Sequence, residues 1–309
     1  MRGKHIIILS VILMCFCTQL YADITTEGQD FWLTFAKNGD SEDGSKSLDL
    51  SVLVVASANA TVVATNEATG WKKSVEVKST SPATLSIPST DCYVAQSEQI
   101  EKKGIHITSS QPVSLYAFND SHESLDGSLV LPTTTLGTDY VVQTYDGTSR
   151  YSAYAVFVAT EDVTAAVITP SADLADGAKA GTPFVITMSK GETYAVFAKG
   201  NKSLSGTRIS ANKPIAVFNG NISTQIPDNY KGTNHTMEIA YPTRTWGSKF
   251  IVPSVSEHSS VIRFTALTAN TTIKMDGNLI ATLDAKETYQ YVLLPSQTSS
   301  YIESSGPIA

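Results

Sequence analysis

Asn119–Ser128, NDSHESLDGS, gathers the residue types in this sequence that could do chemistry. His122-Glu123 followed by Asp126 approaches the helical zinc-protease pattern, in which two histidines four apart share one face with a glutamate base between them. Asp126 stands where the second histidine is required, and Asp126-Gly127 breaks a helix, so the pattern fails. A weak calcium candidate remains, because Asp120, Ser124 and Asp126 offer hard oxygens from one loop, although EF-hand spacing is not met. Glu123 and Asp126 also have the chemistry of a glycosidase pair, but such a pair needs a cleft and a set separation. The sequence has no G-x-S-x-G elbow and no glycine-rich phosphate loop. The expectation is a non-catalytic protein without a cofactor, with Asn119, Asp120, His122, Glu123 and Asp126 on a solvent-exposed loop that binds a ligand.

A second candidate loop is Ile222–Thr236, whose tip carries Asp228, Asn229 and Tyr230. Trp71 follows a glycine turn and is a candidate binding aromatic, whereas Trp32 and Trp246 fit strand packing better. His235 and His258 read as plain surface histidines, and His106 as one on an exposed strand face. Cys92 has no neighbouring cation in sequence and reads as a packed thiol. Six Asn-x-Ser/Thr sites, at Asn59, Asn119, Asn201, Asn221, Asn234 and Asn270, mark turns rich in Asn, Ser and Thr.

The elements that must position these residues repeat. Gly104–Asn119, GIHITSSQPVSLYAFN, returns ungapped at an offset of 102 as Gly206–Asn221, and begins again at Tyr301–Ala309. Each copy reads as strand, turn, strand, with the turn just before Pro112, Pro214 or Pro307. A second block, LPTTTLGTDYVVQTY at 131–145, matches YPTRTWGSKFIVPSV at 241–255 and reads as the close of each unit. Phe184–Met188 and Thr193–Phe197, around Lys190-Gly191, read as a hairpin, and GETY at 191–194 matches KETY at 286–289. Asp276-Gly277 is a two-residue hairpin signal.

The expected fold is all-β, in antiparallel sandwich-like units of about 100 residues, with a propeller-like or prism-like packing of three units as the alternative. Residues 1–22 read as a signal peptide, from Arg2 and Lys4, the apolar run Ile6–Cys17 and a cleavage point after Ala22. The small residues of a lipid-attachment box do not precede Cys15 or Cys17. An N-terminal strand and acidic loop occupy 23–47, the first unit 48–150 and the second 151–257. A third, over 258–309, stops within its recurring motif, as expected for part of a longer protein.

Composition sets further limits. Hydrophobic residues make up 42%, enough for a core, and charged residues 17%. Removing the leader takes two of the 22 basic residues and none of the 29 acidic ones, leaving a net charge of −9. Nucleic acid is therefore not an expected partner, since phosphate binding needs a basic footprint. Cys92 is then the lone cysteine, so no internal bridge can form, which fits a bacterial exported protein better than an animal one.

The chain resembles the N-terminal domain family named after the IgG Fc-binding protein. The resemblance rests on GQDFWLTF at 28–35, ATEDVT at 159–164, SGTRISANKPIAVFNGN at 205–221 and PTRTWGSKFIVPS at 242–254. It implies extracellular adhesion or scaffolding, in the bacterial secreted or surface branch, with immunoglobulin Fc binding unproven. The expected function is a secreted or cell-surface adhesion module for glycoproteins or glycans. Its rivals are a glycan-acting hydrolase and a passive spacer displaying other domains.

Overall fold

The computed structural model describes residues 25–39, 48–121, 124–148, 150–227, 231–253, 259–294 and 299–309. Residues 1–24, which include the expected signal peptide, most of the acidic loop, His122, Glu123, His258 and Asp228–Tyr230 lie outside the described residues. The fold is all-β, and its sheets are antiparallel apart from a two-residue parallel pairing of Phe35–Ala36 with Tyr93–Val94.

The recurring motif is one strand rather than a hairpin. Ile105–Ser121 runs for 17 residues, Arg208–Thr224 for 17 and Ser299–Ile308 for 10. The expected turn is a bulge. Opposite the first long strand, Gly28 pairs with Val113 and Asp30 with Thr108, so residues 109–112 bulge against a single partner residue. The same irregularity separates Gly137↔Ile215 from Asp139↔Ser210, and Gly247↔Ile308 from Lys249↔Glu303. Proline ends each bulge because it cannot donate to the ladder there. A side chain two residues before each proline accepts a backbone N–H across the strands: Ser110 from Thr61, Asn212 from Ala165 and Ser305 from Thr272. The three prolines thus follow like cross-strand contacts.

The bulge turns the long strand from one layer of a sandwich into the other. In the first unit, residues 105–109 lie between Gly28–Leu33 and Ala60–Asn66, with Trp71–Val77 outside. Residues 113–121 lie between Asp49–Ala56 and Ser124–Val130, with Ala83–Ile87 outside. The second unit repeats this order with Gly137–Val141, Thr164–Thr169 and Phe184–Met188, then with Ala153–Ala159, Asn234–Ile239 and Thr193–Phe197. Phe184–Met188 and Thr193–Phe197 are strands as expected, but they pair with different partners and form an arch between layers. Met275 pairs with Asn278 around Asp276-Gly277, both at positive φ, as the sequence predicts for a two-residue turn. Pro132–Tyr145, read as a closing block, is built into the second unit's sheet instead, because Gly137–Val141 pairs with the second long strand.

Burial explains which strands read as continuous apolar runs. Asp49–Ala56 alternates, with Leu50, Val52 and Val54 inward. Every residue of Ala153–Ala159 is buried. Its Ala155, Phe157 and Ala159 fill the second unit's own core. Tyr154, Val156 and Val158, on the opposite face, join the first unit's core beside Trp32 and Phe35. A strand wet on one side needs alternation, and one dry on both does not. The third unit has a small separate core around Phe264, Ile273 and Ile302.

Candidate binding surface

Four of the polar residues singled out from sequence, Asn119, Ser124, Asp126 and His235, lie in the joint between the first two units. Asn119 is fully buried. Its amide donates to the Ala36 carbonyl at 2.9 Å and to His235 Nε2 at 3.3 Å, while Asn38 Nδ2 donates to its oxygen. His235 is buried, not on the surface, and its ring stacks on Tyr154 with centroids 5.7 Å apart. Desolvation pushes its pKa down to about 4, so the imidazole is neutral. Nδ1 then donates to the Ile222 carbonyl and Nε2 accepts.

Asp126 acts across the same joint. One carboxylate oxygen accepts the Met237 N–H at 2.8 Å and the other accepts its neighbour Gly127 N–H. Ser128 accepts the Ile239 N–H at 2.7 Å and donates to Glu238. Burial raises the carboxyls of both Asp126 and Glu238 above the usual range. Asp120 does not join them. It pairs with Leu125 while Asp126 pairs with Asn119, so the two aspartates sit on opposite faces of the hairpin. Ser124 shares the Asn119 face and donates to Asn234. The three proposed calcium ligands therefore do not converge, and among the described residues no His/Cys/Asp/Glu group is arranged to hold a metal ion.

Trp71 is half-buried against the first core. Trp32 is 3% exposed and stacks on His106, with ring centroids 4.3 Å apart. His106 also meets Asp30 at 2.7 Å, and at the matching place Arg208 meets Asp139 at 2.9 Å. The histidine-to-arginine swap thus preserves a cross-strand pair. Cys92 is buried, and desolvation raises its thiol pKa far above the ordinary range.

Sequence reasoning missed the surface between the second and third units. A cleft of about 550 Å³ opens there, lined by Ile239, Tyr241, Trp246, Phe250 and Ile308, with Glu238 at its edge. Trp246 Nε1 donates to the Tyr241 carbonyl at 3.1 Å, which holds the indole across the floor. The opening strand of the third unit forms one wall, and comparison with its counterparts shows the difference. Phe31 and Tyr140 are fully buried, whereas Phe250 is 37% exposed; Trp32 and Val141 are buried, whereas Ile251 is 75% exposed. Ile251 points away from the cleft, on the opposite face of the strand from Phe250. Tyr241 and Phe250, both exposed, group at the cleft, and apolar side chains grouped in this way mark an interaction surface. The signal available in sequence was Phe250-Ile251 in a block matched to Tyr140-Val141.

No helix among the described residues is long and apolar enough to cross a membrane. Residues 126–309 match the profile of a family described as IgGFc binding protein. Over 174 residues, 53% of this chain, the sequence is 28% identical to the human protein described as IgGFc-binding protein. The match spans 3% of that protein's length. No solved structure matches the chain.

Proposed function

The chain belongs to the IgGFc-binding protein family, and from that membership we propose a secreted or cell-surface, non-catalytic module that grips an extracellular glycoprotein at the cleft between its second and third units. One contrast carries this reading. Asn119, Asp126 and Ser128 are engaged with backbone inside a joint, while the aromatic and aliphatic groups around Trp246 and Phe250 are open. Among the described residues Glu238 is the one acid lining the cleft, and its Oε1 already accepts from Ser128 and Ile239. Glycosidase chemistry needs two facing carboxylates.

In the same proposal the chain is exported by its leader and comes from a bacterium, with a lone packed thiol in place of a disulfide framework. The strand pairings support unit boundaries just before Gly28, Gly137 and Gly247. Immunoglobulin Fc, named in the family's description, is the first partner to try, and mucin-type glycoproteins the second. The test is surface plasmon resonance of the chain over both probes, repeated with Tyr241→Asp. Tyr241 lines the cleft and is 41% exposed, so the substitution leaves the packed core untouched. Binding that drops about tenfold or more in the variant supports the reading, and binding that is unchanged places the site elsewhere.

A further inference from the structure

The first two units show what their counterpart of this cleft holds. Pro132 sits on Gly28, and a Cβ built on the glycine would stand 2.4 Å from the proline Cβ. Pro242 sits on Gly137, with 2.6 Å in the same place. Both prolines are buried. The residues that follow tie down the seat. Thr133 N donates to the Asp30 carbonyl at 2.8 Å and Thr135 Oγ1 to the Thr25 carbonyl at 2.8 Å. At the second joint Arg244 reaches back to the Thr135 and Leu136 carbonyls. The strand leading into Pro242 lies along the preceding unit's Ser124–Val130, stitched by Asp126 to Met237 and by Ser128 to Ile239.

Gly247 is the third glycine of the series, and the nearest atom to its built Cβ is Phe250 Cζ at 3.3 Å. Gly247 lines the cleft together with Trp246, Phe250 and Ile239. The cleft is continuous with the joint already formed, since Ile239 and Ala240 belong to the strand end that carries Pro242 onto Gly137.

Building on the function proposed above, we propose that the cleft is a socket for an extended apolar segment running into Pro-Thr-x-Thr, with the proline ring seated on Gly247. The occupant has the chemistry of Leu129–Thr135. A second copy of this chain does not supply it in its folded form, because both of its Pro-Thr segments are sealed on its own glycines. The segment's strand lies along Asn234–Ile239, and its proline closes over Gly247 against Phe250 and Trp246. Glycine is required at the seat because any Cβ would occupy the volume of the ring.

The test uses the chain and a fluorescein-labelled peptide of sequence 124–136, followed by anisotropy and by tryptophan emission. Saturable one-to-one binding is expected, with an emission change that Trp246→Phe removes. Replacing the peptide's proline by alanine is expected to weaken binding about tenfold, as loss of a buried ring contact would. Gly247→Val, which in the free chain presses only on the partly exposed Phe250 ring, is expected to abolish binding while leaving circular dichroism unchanged and Tm close to the parent's. Equal binding of the proline and alanine peptides overturns the proposal, as does absence of binding. Self-association of the chain that Gly247→Val abolishes also overturns it, because the occupant would then be a second copy. If the peptide fails while a glycoprotein probe still binds in a Tyr241-dependent way, the socket falls and the binding surface stands.

Discussion

Gly28 lies directly beneath Pro132, 104 residues later in the chain, with no room for a Cβ between them. The contact is the seam between the first two units, and Gly137 with Pro242 makes the next seam in the same way. A second contact recurs beside it. Gly104 abuts the Gly191 carbonyl, and Gly206, at the equivalent position, abuts that of Lys286. The same pair of close glycine contacts thus recurs at both places.

Acid weakens the first seam through His235. Its folded-state pKa of about 4 lies below the ordinary 6.5, so the unfolded chain binds the extra proton between those values. Stability is complete above pH 6.5 and is lost as pH falls towards 4, by on the order of 3 kcal/mol from this group. Asp126 and Glu238, whose carboxyls are raised, act in the opposite sense at acid pH. The difference in urea stability between the protein and His235→Gln therefore isolates the imidazole: the gap between them should shrink steadily from pH 7 to pH 4. A gap that does not change with pH would remove His235 from the acid response.

Asp126 should prove structural and independent of calcium. Asp126→Ala leaves the Met237 N–H without its acceptor in a largely buried joint, at a cost of about 1–3 kcal/mol. Tm in millimolar calcium and in EDTA should be equal, because Asp120 and Asp126 face opposite ways. A calcium-dependent rise in Tm that Asp126→Ala cancels would contradict this placement.

Cys92 should be silent in the native state. Burial and its contact with the Pro88 carbonyl hold the thiol protonated, so the thiolate that reacts with disulfide reagents is not formed. A chromogenic disulfide reagent should label it at the rate of unfolding, and quickly in urea. Fast labelling of the folded protein would place the thiol at the surface.

Periodicity revealed much of this architecture before any coordinates. The recurrence around Pro112, Pro214 and Pro307 identified the long strands. The turn read there was wrong because proline preceded by small polar residues has the same local chemistry in a turn and in a bulge. Strand pairing decides between the two, and pairing is not local. The same limit applies to Phe184–Met188 and Thr193–Phe197, which are correct as strands and wrong as a pair. His235 looked like a surface residue because isolated histidines give no sign of burial; its partners Asn119 and Tyr154 are 116 and 81 residues away. The cleft escaped notice because Phe250 and Tyr140 look alike in sequence and differ only in what covers them.

Alanine substitution at the three glycines tests the account most directly. None of them has positive φ, so alanine is compatible with the backbone at each. Gly28→Ala and Gly137→Ala push a methyl into a proline ring and should lower stability by about 1–3 kcal/mol each. Gly247→Ala meets only the partly exposed ring of Phe250 at 3.3 Å, which has room to give, and should fall within about 0.5 kcal/mol of the parent. Equal losses at all three positions, or none at Gly28 and Gly137, would contradict a seam that is filled twice and open once.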